Sequence, residues 1–339
     1  MINNESISFV IQGVLNSEMY PKITKNIRRL FPGAEIVLAT YIGMNTAGLD
    51  YDKVALVEDP GFYLYDNTEN PKENNVNRQI ATTVAGLRAA TRLYAFKLRS
   101  DFVLTGRGFL DYFNQFLKTD TEYRVFEKKI LSCVFFSRDP RRDNSFPFHP
   151  SDIAFFGLRA DLLNLFDIPL MPKEEAAYYQ FKKIKYVRYL PEQYLWINCL
   201  RKNGKDIKCD HQRDCDDRIA EDTERYLVSN FINLDWVQFD LSVPKRLTLF
   251  SKNNFQDVIT HIEWQRLYKR YLDNVLIVPE RNCMREFIER NTAILKRYKL
   301  LAKLCAMPLG FGKILGTFRR KTRKRIFEFL TRKICLPSS

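Results

Sequence analysis

Residues 7–13, Ile-Ser-Phe-Val-Ile-Gln-Gly, decide the fold of this chain. The run is short, apolar and rich in strand-forming residues, and it stops at a polar residue and a glycine, which is typical of a buried strand. Pro21 then opens a segment with apolar residues at helical spacing, which ends at Pro32-Gly33. Two further apolar runs follow at residues 36–41 and 54–57. This pattern predicts a β-α-β unit with parallel strands.

The alternation of strands and helices continues beyond this unit. Apolar residues recur at helical spacing over residues 76–90, and residues 94–98 form another apolar run. A helix carrying Leu110, Phe113 and Leu117 and a strand over residues 130–136 are predicted to follow. Weaker patterns predict a strand over residues 153–156 and helices over residues 158–166, 194–200 and 219–231. The sequence therefore predicts an α/β fold with a doubly wound, mostly parallel sheet and helical C-terminal additions.

Positive charge is concentrated near the end of the chain. The 339 residues include 54 Lys and Arg against 40 Asp and Glu, for a formal net charge of +14. Thirteen of these bases and a single acid, Glu328, lie in residues 295–339, which therefore hold +12 of the total. Because residues 1–294 are nearly neutral, we expect them to recognise a ligand at a local site. The tail is expected to bind an acidic partner separately.

Composition and known motifs exclude several classes of protein. Hydrophobic residues make up 45% of the chain and charged residues 28%, which excludes wholesale disorder. Seven scattered cysteines favour a reducing cytoplasm over a disulfide framework. We expect neither a secretory signal nor a spanning helix. A Walker loop, a Gly-x-Ser-x-Gly elbow and a His-Glu-x-x-His helix are missing, so the usual NTPase and hydrolase signatures are lacking.

Three charged residues share one face at the end of the predicted strand over residues 94–98. Alternate side chains of a strand point to the same side, so Lys97, Arg99 and Asp101 are expected to project together. Ligands of open α/β sheets bind at the carboxyl ends of the strands. Two cations and a carboxylate there suit a diphosphate, with the aspartate holding a divalent metal. The alternative is a surface ion-pair ladder.

The long helix begins with the polar sequence Asn-Asn-Val-Asn-Arg-Gln at residues 74–79. The positive end of a helix attracts anions, and Arg78 adds a charge that favours a phosphate. Asparagine is also a common helix cap, so the alternative is that these residues only cap the helix.

Two carboxylates, Asp152 and Glu192, are candidates for a general base. Asp152 follows His149-Pro150-Ser151, and Glu192 follows Pro191. From a loop over the cleft either carboxylate is able to reach an acceptor hydroxyl. Glu192 has an alternative role in the first turn of a helix, where an acid complements the dipole, and Asp152 has one as a helix cap.

Several blocks of this sequence together resemble a known family. The most specific are Asn-Asn-Val-Asn-Arg-Gln at residues 74–79 and Lys-Leu-Arg-Ser-Asp at residues 97–101. The other blocks, in the same order as in the family, are residues 7–13, 31–36, 59–61 and 151–157. On these residues the chain, from about residue 5 to residue 200, resembles the WavE lipopolysaccharide-synthesis family of bacterial glycosyltransferases.

The resemblance implies a GT-A-like fold and a nucleotide-sugar donor. Residues 1–200 are then the catalytic region, 201–294 an acceptor-side region and 295–339 a basic tail. Donor-binding residues are expected to be Gln12, Gly13, Thr40, Asn77, Arg78, Lys97, Arg99 and Asp101. Asp101 corresponds in position to the second aspartate of the metal-binding Asp-x-Asp of GT-A-like enzymes, but Arg99 stands where the first would be. Either Mn²⁺ or Mg²⁺ at Asp101, or the bases Arg99 and Lys97 alone, then stabilise the leaving diphosphate.

The tail and the acceptor complete the functional prediction. Residues 308–335 alternate apolar faces with basic clusters, which is typical of an amphipathic helix lying on an anionic membrane. A basic helix packed on the catalytic domain is the alternative. We expect a lipid-linked or lipooligosaccharide acceptor and a peripheral location on the cytoplasmic face of the inner membrane. A sugar-phosphate transferase and a nucleic-acid-binding protein are the competing functions, although no nucleic acid is expected because the aromatic residues of the tail form no stacking platform.

Overall fold

The computed structural model describes residues 2–64, 73–142, 146–176, 188–242 and 257–290, together with Thr292. The chain divides into two compact units, Met1–Ile288 and Glu289–Ser339. Everything reported below concerns the first unit. The basic tail, including the predicted membrane-binding residues 308–335, lies outside the described residues.

A mostly parallel sheet of seven strands forms the centre of the first unit. The strands of the unit are β1 (Ile7–Gln12), β2 (Glu35–Tyr41), β3 (Lys53–Val57), β4 (Tyr63–Leu64), β5 (Glu73–Asn74), β6 (Tyr94–Arg99), β7 (Val103–Leu104), β8 (Ile130–Cys133), β9 (Ala154–Leu158), β10 (Phe231–Leu234) and β11 (Leu241–Ser242). The central sheet has the order β10-β8-β9-β6-β1-β2-β3, and β9 alone among them is antiparallel to its neighbours. The remaining short strands pair as β4 with β5 and β7 with β11.

Helices connect the strands and cover the sheet. They are α1 (Tyr20–Leu30), α2 (Val76–Ala89), α3 (Arg159–Phe166), α4 (Lys173–Ala176), α5 (Pro191–Lys202), α6 (Asp217–Asn230) and α7 (His261–Tyr271). The chain steps from β1 to β2 in one direction and from β3 to β6 in the other. Since parallel crossovers are right-handed, α1 and α2 cover opposite faces. Such a reversal of direction defines a topological switch point, which here lies between β1 and β6.

The predicted β-α-β unit and the strand after α2 are confirmed, but three details differ. The predicted helix over residues 110–117 is wrong: a 3₁₀ turn covers Gly108–Tyr112, and Phe116 has a positive φ of 54° that ends any helical path. The predicted strand over residues 153–156 exists as β9, but it runs against its neighbours. The region from residue 201 onward, predicted to be mostly helical, also supplies β10 to the same sheet.

The two faces of the sheet are packed differently around β6. On one face the ring of Phe96 lies between four other phenylalanine rings, with centroids 5.0–6.3 Å away; these are Phe9, Phe109, Phe156 and Phe239. The other face lies against α2, which approaches closely because Gly86 has no side chain. A Cβ there would lie 2.4 Å from Val10 and 2.8 Å from Ala39. The close packing brings polar residues of α2 down to the ends of β1 and β6.

Candidate active site

The carboxyl ends of β1 and β6 meet at the switch point of the sheet. Gln12 and Arg99 are register partners across the two strands, and the N–H of Ser100 donates to the Gln12 carbonyl at 3.1 Å. Gly13 follows with a φ of 113°, a conformation that favours glycine. The Gln12 side chain accepts a hydrogen bond of 2.8 Å from the Thr82 hydroxyl of α2. The structure thus places two predicted donor residues, Gln12 and Gly13, beside Arg99.

Arg99 lies between two carboxylates at this edge. Its Nε and Nη2 each donate to Asp101 at 3.2 Å, and its Nη1 lies 3.8 Å from Oδ2 of Asp152. The side chains of Arg99 and Asp101 are 26% and 23% exposed, whereas that of Asp152 is 11% exposed. Oδ1 of Asp152 has no hydrogen-bond partner among the described residues. Arg99 and the Asp152 carboxylate therefore meet at the switch point, and the buried Oδ1 of this carboxylate has spare bonding capacity.

Two buried side chains hold the backbone of Asp152 in place. Its carbonyl oxygen accepts hydrogen bonds from the Lys97 ammonium and from Nε2 of Gln79, the latter at 3.0 Å. Asp152 comes just before β9, and because β9 is antiparallel, that residue reaches the edge where the parallel strands end. Lys97 and Gln79, on β6 and α2, thereby fix the position of the carboxylate.

Lys97 does not reach the surface that the sequence suggested. Its side chain is fully buried and lies over the rings of Phe155 and Phe166 at 5.9 and 5.4 Å. Burial lowers the pKa of Lys97 to about 7, and the charge of Asp152 opposes this shift. The prediction that Lys97 projects with Arg99 holds for the face of the strand. The Lys97 ammonium, however, is buried and does not reach solvent, because helices cover this face of the parallel sheet.

Glu192 contributes a buried acid to the same site. Burial, assisted by the negative charge of Asp152, raises the pKa of Glu192 to about 8. Its Oε2 lies 3.4 Å from Nε2 of His149. Burial and the charge of Arg138 lower the pKa of His149 to about 3, so this contact joins a neutral imidazole to a carboxyl group that retains its proton near neutral pH. The contact is therefore a neutral one rather than an ion pair.

Arg138 and His149 belong to the site but were not among the predicted residues. Arg138 is largely buried, which lowers its pKa against the charges of Glu192 and Asp257. The backbone N–H of Arg138 donates to the His149 carbonyl at 2.9 Å. Phe136 and Phe148, near each of them in sequence, have positive φ values of 66° and 51°. Strained residues of this kind cluster at functional sites. The rule of searching strand ends would have found Arg138, because the predicted strand stopped at residue 136.

Three predicted donor residues lie apart from this cluster. Arg78 forms a two-pronged ion pair with Asp59, at 2.8 and 2.6 Å, beyond the end of β3. The side-chain amide of Asn77 donates to the Met171 carbonyl and accepts from its N–H, at 3.0 and 2.7 Å. Thr40 is fully buried in β2, and its hydroxyl has no partner among the described residues. Asn77 therefore joins α2 to Met171, Thr40 stays inside the sheet, and Arg78 is partly exposed beyond the end of β3.

The donor set at this edge does not fit a divalent metal ion as it stands. Asp101, the predicted ligand, turns both carboxylate oxygens towards the guanidinium of Arg99. In the part of the chain that the structure describes, no group of three or more His, Cys, Asp or Glu side chains is arranged to hold a metal. Mg²⁺ and Mn²⁺ prefer several oxygen ligands, and a fixed cation beside the carboxylate opposes their approach.

A comparison with family models decides the relationship of this chain to known proteins. The model described as WavE lipopolysaccharide synthesis matches residues 7–300. The chain belongs to the WavE family. The match extends well beyond residue 200, to which the sequence resemblance reached, so it includes α6, β10 and α7 of the WavE chain. No curated protein matches it.

Membership of the WavE family assigns the chain a role in lipopolysaccharide synthesis and suggests a glycosyltransferase-like enzyme. This class agrees with a mostly parallel α/β sheet whose polar residues gather at one edge. Among the described helices of this WavE protein, none is long and apolar enough to cross a membrane.

Proposed function

We propose that this protein transfers a sugar from a nucleotide-diphosphate sugar to a hydroxyl group of a lipopolysaccharide or related surface glycan. The observation that carries the proposal is the meeting of Arg99, Asp101 and Asp152 at the switch point between β1 and β6. Nucleotides bind at this position in open α/β sheets. A GT-A-like arrangement of donor and acceptor sides is part of the same proposal.

The donor diphosphate binds beside Arg99 in this scheme. Gln12 and Gly13 line the nucleotide end, since the glycine lets backbone and ligand approach closely. The partly exposed guanidinium faces the phosphate oxygens, where negative charge develops as the sugar leaves. Arg78, which is partly exposed and paired with Asp59, contacts the sugar or a phosphate from the margin in the same scheme.

Asp152 acts as the general base on the acceptor hydroxyl if the reaction inverts the anomeric centre. Its Oδ1 is free of hydrogen bonds among the described residues, which leaves it available for a proton. Glu192 holds its own proton because burial and the charge of Asp152 raise its pKa. A carboxyl group that keeps its proton is unable to accept one from the acceptor hydroxyl. We therefore assign the base to Asp152 and a proton-holding role to Glu192.

Product analysis tests the proposal. Purified protein is incubated with a panel of UDP- and GDP-hexoses and a purified lipid A-core oligosaccharide. The mass of the acceptor is then measured by mass spectrometry. One hexose should be added to the acceptor by the wild-type protein. The Asp152→Asn variant, which keeps the backbone contacts of residue 152, serves as the matched inactive control. An acceptor of unchanged mass with every donor, with and without Mn²⁺, would contradict the proposed function.

We further propose that residues 308–335 hold the enzyme on the anionic cytoplasmic face of the inner membrane. The support is in the sequence, where basic clusters alternate with apolar residues, and each base near an anionic surface contributes about 1 kcal/mol. Full-length protein should co-sediment with vesicles containing phosphatidylglycerol, and a chain ending at residue 307 should not. Equal binding of both proteins would remove this assignment, and phosphatidylcholine vesicles control for apolar adsorption.

A further inference from the structure

The position of Arg99 has a consequence for the chemistry of the proposed sugar transfer. In a metal-dependent site, carboxylates and phosphate oxygens share one divalent cation. Here a guanidinium lies between the carboxylates of Asp101 and Asp152, at 3.2 and 3.8 Å. The cation at the donor edge is therefore part of the polypeptide.

The surroundings hold this guanidinium in place. Asp101 bonds to two of its nitrogens, and the carbon of the guanidinium lies 5.9 Å from the centre of the Phe102 ring. Register pairing with Gln12 fixes the backbone at the switch point. An arginine has five N–H groups, of which two bond to Asp101, so others remain for phosphate oxygens. Arginine is permanently charged and matches phosphate geometry, which makes it a suitable substitute for a bound cation.

A divalent ion is disfavoured at the same place. To bind Asp101, it must displace or approach a guanidinium that already bonds both oxygens of this carboxylate. Among the described residues, no three acidic, imidazole or thiol side chains are arranged to hold a metal and so compensate for that repulsion. Deeper in the site, Lys97 adds another basic group directly beneath Asp152.

We infer that the protein transfers its sugar without a divalent metal, with Arg99 neutralising the leaving diphosphate. The inference rests on the proposed function. The bond between the anomeric carbon and the diphosphate oxygen breaks, and its electron pair stays on that oxygen, next to Arg99. The acceptor oxygen forms the new bond to the anomeric carbon, and its proton passes to Asp152. The step needs no other reactant.

Binding of nucleoside diphosphates tests the inference without relying on turnover. UDP and GDP are titrated into the protein by calorimetry, in EDTA and in Mn²⁺. The preferred nucleotide should bind with the same affinity, within about twofold, in both media. Arg99→Ala should weaken binding at least tenfold in both media. The control is Arg88→Ala on α2. It removes the same charge from an exposed ion pair with Asp167 and should leave affinity unchanged.

Transfer activity with and without a divalent metal provides a second test of the inference. Wild-type transfer should persist in excess EDTA, and Arg99→Asp, which creates the Asp-x-Asp pair of GT-A-like enzymes, should bind Mn²⁺ and gain activity from it. Nucleotide binding or transfer that requires Mn²⁺ in the wild-type protein would overturn the inference and leave the proposed function standing. If neither nucleotide binds and no donor is used in either medium, both proposals fail.

Discussion

The two faces of β6 are built for different purposes. One side of the strand presents Phe96 to a cluster of phenylalanine rings, while the other presents Lys97 to the carbonyl of Asp152 and Arg99 to the edge of the sheet. Both sides are buried along most of the strand. Burial of the aromatic side is favourable by itself, whereas the polar side has to satisfy every donor and acceptor that it buries. The contrast suggests that the aromatic face determines stability and the polar face determines activity.

Replacement of Phe96 by alanine should have the largest effect and should fall on stability. The ring is fully buried, and a cavity of this size costs about 3–5 kcal/mol of unfolding free energy. Urea denaturation measures the loss, and turnover per folded molecule should change little. Leu56→Ala on β3, where the side chain is 46% exposed, is the control and should cost less than about 1 kcal/mol. A Phe96→Ala protein of normal stability would refute the division between the faces.

Asp152→Asn should reverse this pattern. Loss of a general base lowers the rate on the order of 10³-fold, equivalent to about 4 kcal/mol of barrier. The asparagine keeps the carbonyl that Lys97 and Gln79 contact, so the melting temperature should stay within a few degrees. Steady-state kinetics and thermal melting are measured on the same samples. Undiminished turnover would remove Asp152 from the chemistry.

Lys97→Met tests whether a buried group acts through Asp152. Methionine fills a similar volume without a donor, so the Asp152 carbonyl keeps only Gln79. We expect kcat to fall about 10–100-fold, or about 1.4–2.7 kcal/mol, with little change in KM for the donor. Removal of a desolvated ammonium should leave stability unchanged or higher. Gln79→Met removes the other donor and should have a smaller effect of the same kind; a rise in donor KM alone would contradict the positioning role.

Glu192→Gln should have the smallest effect, visible as a change in pH dependence. The folded carboxyl group keeps its proton to about pH 8, whereas the unfolded one releases it near its ordinary pKa of 4.5. The unfolded state therefore gains stability from ionisation as the pH rises between these values, and the wild-type protein loses unfolding free energy over this pH range. Glutamine does not ionise, so the variant should lose less between pH 5 and pH 8. Identical slopes in denaturation curves would show that Glu192 is ionised in the folded protein.

Much of the fold followed from local patterns. The strands β1, β2, β3 and β6 and the helix α2 have strong apolar periodicity and clear start and stop signals, so their order and parallel direction were predictable. The direction of β9 was not, because an apolar run carries no information about whether its neighbours run with or against it. β10 was missed because its four residues follow α6 directly, without a turn signal between them.

The candidate site was predictable where it follows a strand end and hidden where it depends on packing. Gln12, Arg99 and Asp101 were predicted because the ends of strands gather at one edge, whereas Asp152 was predicted as a carboxylate in a loop over the cleft. The depth of Lys97 was not visible, since alternation assigns a face but not the layer that covers it. His149 contacts Glu192 across a long separation in sequence, and no local pattern connects them. Arg138 required only that the search extend two residues past the predicted strand.

The antiparallel direction of β9 determines where the connection from β8 lies and how well it tolerates added residues. Because β8 and β9 are antiparallel neighbours, the segment that joins them leaves and re-enters the sheet at the edge where Asp152 lies. Insertions in such a connection are cheap, since each doubling of loop length costs only about 0.6 kcal/mol of closure entropy. The segment also carries Arg138 and His149 at its two ends. The segment is therefore a place where the chain tolerates added residues, while its two ends hold Arg138 and His149 beside Glu192.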